Sequence, residues 1–505
     1  MKRTETRIIM CCSLCCYNDL TIEYEKGTIR NDENHALRRF CKEDTMMQLK
    51  VQAPLDPQFQ PLSVVLREYE KDVAASDSSQ MLAIAIERNQ GYVYRKDFPI
   101  LPLGADDART VKLMERVAKT ALWVSGGYKI YISGCKPLYE CLKKAYQAGG
   151  ARAFDEDFMA RVYEKPFEVL YVENIADMPK AKNAASAVGR HLDGCRIGFD
   201  AGGSDRKVSA VVNGEAVYSE EVVWLPKVNP DPEYHYQGIL SAMKSAAAHM
   251  PRVDAIGVSS AGVYIDNKIM VASLFLKVPP EAFEKRVKTM YIDVAKEIGN
   301  VPLEVANDGD VTALAGAMDL GCGNVLGIAM GTSEAGGYVD KDMNILGWLN
   351  ELAFAPVDAC ENAMVDEWSG DYGCGVKYFS QDGAIKLAPA AGIALSDDLT
   401  PAEKLKVIQK EMLSGNAEAA KIYETIGVYF GYAIAYYATF YDIDHVLIMG
   451  RVTSGEGGAL LLKKAQEVLD VEFPDLAKKI TLHIPDEKSR RVGQSVAAAS
   501  LPMIK

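Results

Sequence analysis

The stretch "RIGFDAGGSDRKVSAVV", Arg196 to Val212, decides how the chain is read. Arg196 to Phe199 has the composition of a buried strand and Lys207 to Val212 that of its partner, so the residues between them form a tight hairpin tip. A tip needs only one glycine. Two adjacent glycines, Gly202 and Gly203, let peptide N–H groups approach a bulky anion, and Asp200 beside them could hold a hydrated cation. That pairing suits phosphate chemistry if the rest of the chain supplies partners.

The remaining composition narrows the class. A chain of 505 residues exceeds one ordinary core and implies two or three domains. A formal net charge of -13 argues against a broadly basic nucleic-acid surface, and residues 1–190 offer no convincing helix-turn-helix pair. The longest uncharged helical run, Thr425 to Tyr441, carries five tyrosines and falls short of the roughly 20 apolar residues of a membrane span, so it reads as a core helix. Five of the 11 cysteines lie in the first 41 residues and the rest are scattered, a pattern that suits a reducing cytoplasm better than a disulfide framework.

Residues 1–46 read as a disordered extension from an upstream start, with Met46 or Met47 as the working initiator. Residues 47–80 read as a linker with one short helix. A small α/β domain is expected over 81–190, opening on a hairpin whose turn is Asn89-Gln90-Gly91. Strand, hairpin, helix and strand occur from Met81 and again from Arg196, which hints at a duplicated half-domain. Two successive α/β lobes then follow, 194–305 and 306–505, each starting on a glycine-bearing hairpin, with the C-terminal helix available to return to the first lobe.

Three further pieces share the theme of the first. "GTSEAGGYV" from Gly331 is a second glycine-bearing hairpin, "VPLEVANDGDVTALAGA" is a strand, a polar turn and a small-residue helix, and "HVLIMGRVTSGEGG" is a strand ending in glycine before a helix. A carboxylate at such a polar turn can accept a hydroxyl proton if it stays ionised. The alternative is that Asn307, Asp308 or Asp310 merely caps the helix.

Together the four pieces resemble the ROK family (repressors, open reading frames and kinases) of the actin-like ATPase superfamily, over roughly Cys195 to the C-terminus. The resemblance implies an α/β, two-lobed actin-like (ribonuclease H-like) fold preceded by a small α/β domain. It implies ATP held by Asp200, Gly202, Gly203 and Ser204 in the first loop, Gly331, Thr332 and Ser333 in the second, and Gly450 near the adenosine. Mg²⁺ would sit near Asp200 through water. Asp308 would be the catalytic carboxylate, Asn307 a sugar-binding amide and Glu351 a retained pocket residue; independently of the resemblance, Ser259, Ser260, Ser273, Glu351 and Lys377 could rebuild the sugar pocket where it departs from the family. A homodimer is the family's common state.

The departures are equally specific. Glu334 introduces a carboxylate into the second phosphate loop, where it would repel phosphate. Arg451 replaces a glycine of the adenosine motif. Phe354 stands at the family's histidine and Val376 at its sugar-binding glutamate, while Trp348 and Phe354 add aromatic faces. Only Cys360 and Cys374 lie where a four-ligand zinc site would be, so no structural zinc is expected. The expected function is an ATP-dependent carbohydrate kinase acting on a hexose or amino sugar. The alternatives are a sugar- or nucleotide-sensing protein without catalysis, or ATP hydrolysis without transfer to sugar.

Overall fold

The computed structural model describes residues 48–183, 188–203, 205–485 and 487–504. The expected N-terminal extension and the proposed phosphate ligand Ser204 lie outside the described residues.

The decisive hairpin forms where its apolar runs meet. Strand β5 (Cys195–Ala201) is buried along its whole length and pairs antiparallel with β6 (Asp205–Val212), which pairs with β7 (Glu215–Val223). Beyond β5, the strands β8 (Ala255–Ser260) and β11 (Leu303–Asn307) add in parallel, giving the order β11-β8-β5-β6-β7. A strand that is buried on both faces must be covered by helices. One face receives α5 (Pro232–Ala247), whose Ile239, Leu240 and Met243 join Ile197, Phe199 and Val258 in one core.

A second sheet repeats this plan with one strand fewer. Strands β12 (Val325–Met330) and β13 (Glu334–Val339) form the hairpin, and β14 (His445–Met449) and β15 (Thr481–His483) add in parallel beside β12. Between the two sheets runs α7 (Asp308–Leu320), directly continuous with β11. The C-terminal helix α12 (Glu487–Ala499) returns to the first sheet, where the hydroxyls of Ser495 and Ser209 are 2.7 Å apart. Ala497, Ala498 and Leu501 share a core with Val311, Leu314 and Leu447, so this junction ties the two lobes together.

The N-terminal segment differs from the expectation of a linker and a repeated half-domain. Residues 62–75 form a full helix, α1, and the preceding loop is anchored on the second lobe through Leu55 N–H to Thr425 and Gln60 N–H to Asp358. Strands β1 (Gln80–Glu87), β2 (Val93–Ile100), β3 (Lys129–Ser133) and β4 (Glu168–Tyr171) form a four-stranded sheet in the order β2-β1-β3-β4. β3 runs antiparallel to β1, whereas β8 runs parallel to β5, so the two halves do not share a topology.

One face of this segment's sheet holds a small cluster of its own, Ala83, Ala85, Val93 and Met178, and the other shares a core with the second lobe. Leu82, Ile84, Ile86, Leu122 and Trp123 belong to one apolar cluster with Leu326, Tyr338, Phe354 and Tyr436 of the second lobe. Helix α2 (Asp107–Ser125), capped by the Asp106 carboxylate on the Arg109 N–H, carries the contact. The same helix sends Arg116 and Lys119 onto Asp371, at 2.7 Å each, and Arg152 reaches the same carboxylate at 3.0 Å. The long helix α10 (Ala417–Tyr437) is buried along most of its length, as a core helix should be, and no helix among the described residues is long and apolar enough to cross a membrane.

Candidate active site

Parallel pairing of β5 with β8 puts Asp200 opposite Ser259, and the Ser259 hydroxyl donates to Asp200 Oδ1 at 2.8 Å. Gln494 of α12 donates in turn to the Ser259 oxygen at 3.1 Å, so the returning helix fixes the orientation of Asp200. Lys207 lies 3.9 Å from the other carboxylate oxygen. Burial pushes the Asp200 carboxyl up to about 6, against the pull of Ser259 and Lys207, and the nearby Asp308 charge adds to the rise.

Asp308 is the first residue of α7, half-buried, with its carboxylate accepting the Gly309 N–H at 3.0 Å. Burial pushes this carboxyl upward, opposed by main-chain N–H groups and by Lys227. Asn307 is the N-cap: its oxygen accepts the Gly309 N–H at 2.8 Å and its amide donates to the Gly262 carbonyl at 2.7 Å. Both ends of the amide expected to bind sugar therefore already have partners within the protein. Asp310 faces inward and accepts from the Tyr338 N–H and from Asn350 at 2.8 Å.

Glycines on both sides of the contact explain how this turn reaches the second hairpin. A side chain on Gly337 or Gly309 would collide with the opposing backbone, because the start of α7 lies directly on β13. Asp308 consequently lines a crevice with Ala329, Ala335 and Met449. The fourth bend closes on the second hairpin as well: Gly450, at φ +104°, lies against the Met330 backbone, the Val452 N–H donates to Met330 O at 3.0 Å, and Arg451 donates to the Thr332 hydroxyl at 3.5 Å. Within the second tip, Gly331 N–H donates to the Ser333 carbonyl at 2.9 Å.

Glu334 does not occupy the place expected of it. It is 2% exposed, receives the Tyr437 hydroxyl at 3.4 Å and packs against Gly375, and burial pushes its carboxyl up to about 8. The reason is strand alternation: as the first residue of β13 it points into the core, opposite in sense to the tip. The expected repulsion of phosphate is thereby removed.

Sequence reasoning missed Lys227. It follows Pro226 in a short 3₁₀ turn, and its Cε lies 2.8 Å from the point a side chain on Gly203 would occupy. A lysine thus covers the first glycine tip and acts on Asp308. No local motif marks it, because the turn that delivers it is more than 20 residues beyond the glycine tip.

Two cavities flank these bends. One, of about 200 Å³, is lined by Thr332, Ser333, Phe354, Lys377 and Thr400. The other, of about 410 Å³, lies between the first lobe, the second lobe and the N-terminal segment, with Asn307, Asp310, Gly262, Trp348 and Arg88 among its walls. Three expected sugar ligands are absent from that wall. The Ser260 oxygen is fully buried and takes the hydroxyls of Tyr264 at 2.6 Å and Tyr291 at 3.0 Å; Ser273 is buried in the first-lobe core; Glu351 sits at the second-lobe junction with its N–H on the Trp123 carbonyl. Phe354 packs on Trp123 at 4.5 Å between ring centroids, so it is core, and Lys377 is held between Glu367 and Asp382.

Among the described residues no group of three or more His, Cys, Asp or Glu is arranged to hold a metal. Burial pushes the Cys374 thiol up to about 12.

No family model and no curated protein matches the chain. Among solved structures it is similar to a ROK family glucokinase from Streptomyces griseus in complex with glucose and AMPPNP, at 20% identity, 61% of this chain, 99% of the other and a TM-score of 0.45. It is similar to a ROK hexokinase from Thermus thermophilus at 16% identity, covering 60% and 97% of the two chains with a TM-score of 0.47. A ROK family transcriptional regulator, a homolog of E. coli MLC protein, is similar at 16% identity over 61% of this chain and 79% of that one, with a TM-score of 0.46. These similarities span about three fifths of this chain, each at 20% identity or less.

Proposed function

We propose that the protein is an ATP-dependent carbohydrate kinase working in the cytoplasm, with the homodimer common to its relatives. The observation that carries this reading is the position of Asp308. It stands at the start of a helix, electrostatically coupled to Asp200, in the crevice where the second hairpin and the fourth bend meet.

Phosphoryl transfer asks a protein mainly to position groups and to stabilise charge. The tips Gly202-Gly203 and Gly331-Thr332-Ser333 present main-chain and hydroxyl groups to the phosphates, and Lys227 adds a cation above the first tip. Gly450 leaves the fourth bend flat for the adenosine. Asp200, with one oxygen fixed by Ser259 and a negative neighbour in Asp308, suits a hydrated Mg²⁺. That ion, when bound, neutralises the β- and γ-phosphates. The cavity of about 410 Å³ receives the acceptor, with Asn307 in its wall, and Asp308, next in the chain and lining its own crevice, accepts the proton of the attacking hydroxyl.

A second reading, a sensor that binds sugar or nucleotide without transfer, draws on the internal pairing of Asn307 and Ser260, which leaves fewer side chains to grip a sugar. Calorimetric titration with Mg-ATP tests the nucleotide part. Binding at millimolar nucleotide or better is expected, and its absence defeats both the kinase and the ATPase readings.

A further inference from the structure

Arg88 lies at the end of β1 and belongs to the N-terminal segment, yet it lines the same cavity as Asn307. It is 2% exposed. Its guanidinium donates to the carbonyls of Gly347 and, at 3.0 Å, Leu346, and rests 5.3 Å from the Tyr92 ring centroid. These are neutral partners. No carboxylate pairs with it among the described residues, its Nε is buried without a partner, and the acidic groups that act on it are the phenols of Tyr163 and Tyr92. A buried guanidinium without an anion is costly, and its fork geometry matches carboxylate and phosphate oxygens.

The carboxylates of the cavity are placed elsewhere. Asp266 is engaged by Gln90 at 2.6 Å and Asp310 by Tyr338 and Asn350, while burial, with the Asp266 charge beside it, pushes the Glu304 carboxyl up to about 7. The cavity is therefore polarised, with one cation contributed by the N-terminal segment and acids contributed by the two lobes. A neutral hexose would offer that guanidinium no direct anionic partner.

We propose that Arg88 is a specificity-determining residue that binds an oxyanion, carboxylate or phosphate, carried by the hydroxylated acceptor. The N-terminal segment then sets which acceptor the ROK-like lobes receive. This rests on reading the cavity as the acceptor pocket.

The test is calorimetric titration of the full chain without nucleotide, using glucose, glucuronate, gluconate and glucose 6-phosphate. At least one anionic probe should bind about tenfold or more tighter than glucose, and Arg88→Gln should abolish that preference by weakening the anionic probe far more than glucose. Arg88→Lys should restore part of it. Preference for glucuronate or gluconate assigns a carboxylate, and preference for glucose 6-phosphate a phosphate. Equal binding of neutral and anionic probes, no binding of any at millimolar concentration, or an unchanged preference in Arg88→Gln overturns the proposal. If Arg88→Gln fails to fold by circular dichroism, the wild-type preference and its loss at high salt decide the question alone. Because no transfer is measured, failure of the kinase reading leaves this result standing.

Discussion

The hydroxyl of Tyr437 donates to the carboxyl of Glu334 at 3.4 Å inside the second lobe, turning a residue that looked like an obstacle to phosphate into part of the core. Burial raises this carboxyl to about 8, so its neutral form contributes stability that is complete below the ordinary carboxylate range and is lost as pH rises through about 8. Glu334→Gln should flatten that decline in thermal melts between pH 6 and pH 9 and leave Mg-ATP affinity within about threefold. A tenfold gain in nucleotide affinity would show that the carboxylate faces the phosphates after all.

Asp371 joins the N-terminal segment to the second lobe through three cations, Arg116, Lys119 and Arg152. Removing one partner of a buried network strands the others, so Asp371→Asn should cost about 3 kcal/mol or more in denaturant unfolding. The cations hold this carboxyl far below the usual range. Its contribution is present above the unfolded pKa and disappears only as pH falls through the depressed folded value, so the variant's deficit should be constant from neutral pH down to mild acid. An unfolding midpoint equal to wild type would contradict the role assigned to the network.

Lys227 covers the first glycine tip. Lys227→Met should weaken Mg-ATP binding about tenfold, with a smaller dependence on salt than wild type shows. Unchanged affinity and unchanged salt dependence would remove it from the phosphate site.

Both candidate carboxylates are raised by burial, Asp200 to about 6. Transfer requires the ionised forms, so kcat/KM should fall on the acid side near pH 6 instead of near the ordinary carboxylate value of roughly 4. A pH profile flat down to pH 5 would count against Asp200 and Asp308 as the ionising groups.

The hairpins, the Asn307-Asp308 turn and the second-lobe helix were legible because each is set by local composition: an apolar run, a glycine tip, a capping residue. What the sequence concealed depends on register and packing across distance. Ser259 read as a sugar ligand, yet strand pairing places it on Asp200. Glu334 read as a phosphate neighbour, yet a single step from tip to strand buries it. Arg88 and Lys227 carry no motif at all, and the fusion of the N-terminal segment with the second-lobe core follows from apolar faces that only the folded chain brings together.

The most direct measurement is transfer of the terminal phosphate from Mg-ATP to an acceptor, followed by coupled ADP release across neutral and anionic sugars, with Asp308→Asn as control. Wild type should turn over at least one acceptor, and the variant should lose about 100-fold or more in kcat while still binding Mg-ATP. Transfer undiminished in Asp308→Asn, or wild type that binds nucleotide and acceptor yet never transfers, would contradict the kinase reading.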